Sequence, residues 1–307
     1  VDWTEKRVLV TGATGFIGQR LVRRLVEAGA RIYAGVAPDG RPERVARLSA
    51  QAQRLIFDIR DAGAVQAAVA ETAPQIVFHL AAVGVTNPGV NPVLALAVNA
   101  GGTLHLLEPL QGQDVRRVVL VGTCYEYGAR EAAEGLDPFN AYAASKVAAW
   151  AFGRMYWRAH GLPVVTVRPF QVYGPGQPDH TLVPAAIRAA LAGVDFPMTP
   201  GGQERDFIYV NDVLEGMLVA AEAPGVEGHS FDLGTGQAHT VRQVVERIWA
   251  MTGARGHILP GALPYRTGEV MRLAADADRT ARLTGWRARV GLEEGLERTI
   301  DWVREVI

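Results

Sequence analysis

A tyrosine and a lysine four residues apart, Tyr142 and Lys146, lie in a run from Asn140 to His160 whose Ala, Met and aromatic residues recur at helical spacing. On a helix the two side chains project from one face, a turn apart. A phenol ordinarily ionises near pH ~10 and a neighbouring ammonium favours the phenolate. The pair therefore suits proton exchange with a sugar or carbonyl oxygen. Standing alone, the same spacing is more often an ordinary neighbour pair on an amphipathic surface helix. Its weight comes from a dinucleotide site earlier in the chain and a phosphate-binding region later in it.

The dinucleotide site begins with a short apolar strand, Arg7 to Thr11, then Gly12-Ala13-Thr14-Gly15-Phe16-Ile17-Gly18, then a helical run to Ala28. That order brings backbone N–H groups and a helix N-terminus toward a pyrophosphate, with Gly12, Gly15 and Gly18 allowing close approach. A tight turn that needs glycine for its dihedrals is the competing explanation. The second strand, Arg31 to Val36, ends on Val36-Ala37-Pro38, where an NAD-preferring site would carry an acid for the ribose hydroxyls. With Arg41 and Arg44 following Asp39, NADP(H) is the expected coenzyme and NAD(H) the alternative.

Strand and helix then alternate as in a parallel sheet: Arg54 to Asp58, a helix from Asp61 to Glu71, Gln75 to Ala82, a helix over Pro92–Leu110 carrying Asn99, and Arg116 to Gly122. Asp58 is placed either to accept from the adenine amino group or to cap the next helix. Ala81 and Ala82 are small enough for a backbone passing close to a cofactor, and His79 reads as a packed core histidine. Thr123, at the carboxyl end of a central strand, lies where open α/β sheets bind ligands and can hold the oxygen that Tyr142 protonates. Cys124 has no evident partner base and reads as a buried thiol.

Past Leu162 to Pro169 the alternation ends in the turn-rich Gln171-Val172-Tyr173-Gly174-Pro175-Gly176-Gln177. Mixed short elements are expected beyond it, among them helices over 182–192, 211–221 with Asn211 as cap, 240–251, 276–284 and 292–306. Arg205, Arg266 and Arg272 are the candidate diphosphate ligands, because guanidinium groups match phosphate oxygens. The expected organisation is a Rossmann-type, doubly wound parallel α/β sheet over 1–170, to which 206–225 returns, and a smaller mixed α/β substrate domain over 171–307.

The 307 residues are 49% hydrophobic and 21% charged with a formal charge of -1, so no global field recommends nucleic acid or membrane as a partner. The single cysteine excludes an intrachain disulfide and a cysteine metal cluster. No apolar run reads as a membrane span and no signal-peptide core is evident. The expectation is a cytoplasmic protein.

Together these segments resemble an extended short-chain dehydrogenase/reductase of the nucleotide-sugar epimerase/dehydratase type. The motifs that carry the resemblance are TGATGFIG, FDIRD, VFHLAA, the Tyr142/Lys146 pair, RPFQVYGPGQ, RDFIYVNDV, PYRTGEVMRL and LTGW, covering nearly the whole chain. The resemblance implies that Tyr142 is the acid/base, that Lys146 orients the nicotinamide ribose and lowers the phenol's pKa, and that Thr123 completes a triad. It implies cofactor contacts from Gly12, Thr14, Gly15, Phe16, Ile17, Gly18, Arg41, Asp58, Ile59, Leu80, Ala81, Ala82, Asn99, Tyr142, Lys146 and Pro169. Substrate contacts are implied for Val83, Thr123, Cys124, Tyr125, Gln171, Val183, Arg205 and Arg266, with the loops Val83 to Val90 and His180 to Pro184 shaping the pocket. A homodimer through the helices after Asn91 and around Tyr142 is also implied.

Cys124-Tyr125 stands where relatives that dehydrate or decarboxylate carry acids, and Glu126, in an extended segment, would face the other way. The Glu126-Tyr127-Gly128 ending is similar to GDP-4-keto-6-deoxymannose reductases. The leading expectation is thus an NADPH-dependent reductase of a nucleotide-linked 4-keto-6-deoxyhexose. A 4-epimerase that keeps its NAD is the alternative, and a non-catalytic dinucleotide-binding regulator the third.

Overall fold

The computed structural model describes residues 2–87, 89–129 and 135–307. Its first half is β1 (Arg7–Thr11), α1 (Phe16–Glu27), β2 (Arg31–Val36), α2 (Pro42–Val45), β3 (Gln53–Ile56), α3 (Ala62–Thr72) and β4 (Ile76–His79). There follow α4 (Pro92–Ala95), a π-helical segment (Leu96–Gly101), α5 (Gly102–Leu110), β5 (Arg117–Val121), α6 (Ala141–His160) and β6 (Val164–Pro169). The remainder is β7 (Gln171–Tyr173), α7 (Leu182–Ala192), β8 (Phe196–Met198), β9 (Glu204–Tyr209), α8 (Val210–Glu222) and β10 (Ser230–Leu233). It closes with β11 (Ala238–Thr240), α9 (Val241–Thr252), β12 (Ile258–Pro260), β13 (Arg272–Leu273), α10 (Ala277–Thr284) and α11 (Leu292–Val306).

Two units emerge. The first takes the chain through Glu126, Pro138–Arg168 and Leu214–Phe231; the second takes Tyr127–Asp137, Pro169–Val213 and Asp232–Ile307. The principal sheet has seven strands in the order β10-β6-β5-β4-β1-β2-β3, parallel from β6 to β3. The order reverses beside β1, as in a Rossmann fold, which puts the carboxyl ends of β1 and β4 at a crevice. Its central strands are nearly continuous runs of Val, Leu and Ile because both faces are covered: Val8, Leu9, Val10, Val77, Phe78, Val118 and Val119 are all fully buried. Each such side chain contributes about 1.5–3 kcal/mol by leaving water.

Sequence periodicity puts a single helix over Pro92–Leu110; the structure breaks it with the π-helical segment that contains Asn99. This run also corrects the expectation that no segment is long and apolar enough for a membrane span. By length and composition it qualifies, with a mean hydropathy of 1.3, yet half of the window is buried within the protein. Asn211 is no cap: β9 passes directly into α8 at Val210, leaving Asn211 exposed inside the helix. Nor does the strand begun at Ile76 reach Ala82; it ends at His79.

His79 is 2% exposed. The Thr103 hydroxyl donates to Asn99 O at 2.6 Å, so its oxygen must accept from His79 Nε2–H at 3.0 Å, and Nδ1 accepts from the Thr11 hydroxyl at 2.7 Å. The ring is therefore neutral, and burial pushes its pKa down to about 3 from 6.5. Between those values the unfolded chain binds the extra proton, so this histidine's contribution is complete above pH 6.5 and is lost as pH falls toward 3. The stability gap between the wild type and His79→Gln should narrow from pH 7 to pH 4 in urea titrations; a constant gap contradicts this account.

The second unit has its own core, with Tyr173, Ile187, Phe207, Val244, Ile248, Leu296 and Val303 packed together. β9 is its spine, pairing antiparallel with β11 and parallel with β7 and β13. Strands of two or three residues such as β7, β8 and β13 show no readable period in sequence.

Candidate active site

Asn140 caps α6 by accepting from Ala143 N at 2.8 Å, which starts the helix one residue before Tyr142. Tyr142 and Lys146 then stand one turn apart, 6% and 4% exposed. Thr123, just beyond the end of β5, lies beside the Tyr142 phenol and favours its ionised form. Lys146 Nζ donates to Val121 O at 2.8 Å, at the end of the same strand. The residues implied as a catalytic trio are thus brought together within the first unit.

The electrostatics differ from expectation. Burial holds the Tyr142 phenol above its ordinary pKa; Thr123 opposes that rise and the Glu126 charge adds to it. Lys146 is bonded to a backbone carbonyl, and its own pKa is pushed to about 8 by burial, with Glu126 opposing. Glu126 is not on the far side of an extended segment. Cys124–Tyr127 is a 3₁₀ turn, and Glu126, fully buried, folds back to accept from Thr123 N at 2.9 Å and pairs with Arg168 at 2.7 Å. Thr123-x-x-Glu126 has the spacing of a capping box, the sequence signal by which this placement could have been found.

The glycine turn fits a dinucleotide. A Cβ on Gly12, whose φ is +67°, would meet Leu80 C and Ala81 N at 2.7 Å, and one on Gly18 would meet Gly12 O at 2.3 Å. The turn therefore closes tightly only with glycine. Among the described residues, no side chain caps α1 at Gly15 and none in its first turn is acidic, so its N–H groups can receive phosphate. Thr14, Phe16, Ile17, Leu80, Ala81, Ala82 and Val83 are all partly exposed around these ends.

Other expected contacts find different employment. Asp58 does not cap α3; Asp61 does, accepting from Ala64 N at 3.0 Å. Arg60 grips Asp58 through side chain and backbone and holds its carboxyl below the usual range. Ile59 is buried, with its carbonyl accepting from His105 Nδ1 at 3.0 Å. Asn99 Oδ1 accepts from Val83 N at 2.9 Å and its Nδ2 donates to Val83 O at 3.0 Å and Ser145 Oγ at 2.9 Å, clamping the Val83 backbone to α6. Arg41 is exposed. Cys124 is buried, and Tyr125 packs near Tyr142 with its ring edge-on to Phe139. Of the loop Val83 to Val90, Pro88 lies outside the described residues.

Pro169, the last residue of β6, falls in the second unit, as do the remaining substrate candidates. Arg205 is 5% exposed and pairs with Glu269 at 2.5 Å, and Glu269 N donates to Arg266 O at 3.0 Å, which ties the Arg266 loop to β9. Arg266 is exposed. Arg272 is paired with Glu204. Gln171 is partly exposed on β7, whereas Val183 is 2% exposed and belongs to the core rather than to a surface.

A parallel α/β sheet with a glycine turn at β1 and a Thr–Tyr–Lys trio beyond β5 defines a dinucleotide-dependent enzyme class. Residues 8–234 match the NAD dependent epimerase/dehydratase family, and the chain belongs to it. It is 33% identical over 313 residues to a UDP-glucose 4-epimerase of Mycolicibacterium smegmatis, covering 97% of this chain and 98% of that one. It is similar in structure to the UDP-glucose 4-epimerase of Thermotoga maritima with UDP-glucose, at a TM-score of 0.90 and 27% identity over 97% of this chain and 99% of that one. A Thermus thermophilus UDP-glucose 4-epimerase in complex with NAD gives 0.85 and 30% over 98% and 100%.

Proposed function

We propose that the chain is an NAD-dependent 4-epimerase of a UDP-linked hexose. The observation that carries this reading is Tyr142 buried beside Thr123, with the neighbouring acid, Glu126, already committed to Arg168 and the Thr123 amide. That set can move a proton on and off a sugar hydroxyl, and it offers no free carboxylate of its own for elimination or decarboxylation. The likeness to UDP-glucose 4-epimerases supports epimerisation over the reductase first expected from the Glu126-Tyr127-Gly128 ending.

In this reading Tyr142 acts as the phenolate, so the bound cofactor and substrate must offset the burial that raises its pKa. It takes the proton from the C4 hydroxyl and later returns it, while Thr123 holds that oxygen beside the phenol. When bound, NAD supplies reversible hydride exchange at C4. The Gly12–Gly18 turn and the α1 N-terminus would hold its pyrophosphate, Asp58 and Ile59 its adenine, and Lys146 its nicotinamide ribose. Arg205 and Arg266 would take the diphosphate of the sugar nucleotide. The NAD-bound Thermus relative supports NAD in place of the NADP(H) suggested by Val36.

The test is to incubate the purified protein with UDP-glucose and no added reductant and to follow UDP-galactose by NMR. Equilibration of the two sugars with no net change in coenzyme is expected. Stoichiometric consumption of NADPH with a 4-keto-6-deoxyhexose nucleotide, and no epimer from UDP-glucose, would restore the reductase.

A further inference from the structure

The buried acid–base pair beneath the trio is unaccounted for by the reaction itself. Glu126 is fully buried and Arg168 is 3% exposed, an arrangement that costs desolvation unless the geometry is well made. It is well made here. One carboxylate oxygen takes Thr123 N at 2.9 Å and the other takes Arg168 Nε at 2.7 Å, while the Arg168 guanidinium lies 5.6 Å from the Trp150 ring centre. The neighbouring Gly122 leaves room for it: a Cβ there would meet Glu126 Oε1 at 2.3 Å. The Glu126 N–H returns to Thr123 O at 3.1 Å, closing a loop of bonds around the residue whose hydroxyl meets Tyr142.

We propose that Glu126 is the positioning residue of the trio: its carboxylate fixes the Thr123 amide just past β5 and sets a buried negative charge there, two residues along the chain from the Val121 carbonyl that holds Lys146. Arg168 holds the carboxylate in that orientation. The charge acts on both partners: it resists the fall of the Lys146 pKa, which burial has brought to about 8, and it adds to the rise at Tyr142. The other groups here are Cys124 and Tyr125, which act on Tyr142, and His79, which is neutral and is itself held down by burial and by Lys146. Glu126 thus keeps an ammonium in a site whose burial favours the amine.

The chain contains only two lysines, Lys6 and Lys146, so NMR of protein labelled at the lysine side chains reads Lys146 directly, with Lys6→Arg giving the assignment. Glu126→Gln preserves shape and removes the charge, and the Lys146 midpoint should fall by about one pH unit. If that variant does not fold, Glu126→Gln combined with Arg168→Met removes the ion pair as a unit, and a smaller fall in the same direction is expected, because a positive charge leaves together with the negative one. The alkaline side of the kcat–pH profile should move down with the Lys146 midpoint in whichever variant folds. A Lys146 midpoint that stays in place or rises, or a profile that loses height without moving, would reduce Glu126 to a packing role and overturn the proposal. The kinetic arm rests on the epimerase reading and the NMR arm does not. A wild-type protein that epimerises nothing sinks that reading and leaves the titration to decide this one.

Discussion

Tyr142→Phe should lower turnover by about 10²–10⁴-fold while leaving the fold and NAD binding intact. The ring is 6% exposed and packs with Val90 and Ala95, and phenylalanine keeps all of that contact. What is lost is one buried hydroxyl beside Thr123, and a hydrogen bond made by such a group contributes a net of about 0.5–1.5 kcal/mol. Stability and activity therefore separate in this variant. Thermal unfolding and fluorescence titration with NAD should stay near wild type while the rate collapses. A variant that keeps more than a tenth of wild-type turnover would remove Tyr142 from the acid/base role. One that loses NAD binding in proportion would make it a cofactor-site residue instead.

Asp206→Ala should destabilise the second unit on the order of 4 kcal/mol, the largest stability effect expected of a single substitution outside the apolar cores. Asp206 is fully buried, and its two oxygens accept from Thr235 N at 2.9 Å, Thr235 Oγ at 2.6 Å, Gly236 N at 2.8 Å and Ala275 N at 3.2 Å. Burial raises the carboxyl pKa and the four bonds oppose that rise, so the charge is tolerated because every donor is aimed at it. Alanine would strand three backbone N–H groups, each costing about 1–3 kcal/mol when left without a partner. Asp206→Asn should fall between, because its amide nitrogen would confront the donors on one side while its oxygen still accepts from those on the other. Urea unfolding of the three proteins gives the order. An Asn variant as unstable as the Ala variant would mean that charge, and not acceptor count, holds these loops. Arg205 and Asp206 are neighbours on β9, so their side chains leave opposite faces of the strand. A loosened Asp206 also loosens the strand that carries the diphosphate candidate.

Where the sequence was legible, a single physical rule governed the segment. The strands Arg7–Thr11 and Arg31–Val36 are uninterrupted apolar runs closed by glycine, proline or polar turns, and α7 and α11 have clear helical periodicity, so their bounds could be read to the residue. Boundaries slipped where a local bond overrode the pattern. Thr240 begins a capping box and stays outside α9, and Asp61, not Asp58, captures the first N–H groups of α3. The π-helical segment around Asn99 was invisible because one extra residue per turn leaves composition unchanged. At the candidate site, residue types could be placed because the motifs run in order along the chain. Their partners could not. Thr123-x-x-Glu126 could have announced the turn back to the Thr123 amide, but not the pairing with Arg168, 42 residues later, because an ion pair of that separation is a product of the fold. The protonation balance was lost for the same reason: spacing shows Lys146 near Tyr142 but not the Val121 carbonyl that holds its ammonium.

The measurement closest to the central claim is the fate of the hydrogen on C4. UDP-glucose deuterated at C4 is incubated with the wild-type protein and no added reductant, and the recovered UDP-galactose is analysed by NMR and mass spectrometry. The deuterium should remain on C4 of the inverted sugar, because the hydrogen taken from that carbon is returned to it while Tyr142 handles only the hydroxyl proton. Epimer formed with the deuterium exchanged for solvent hydrogen would contradict it, since inversion would then run through proton abstraction at carbon and the Thr123–Tyr142 pair would have been given the wrong task.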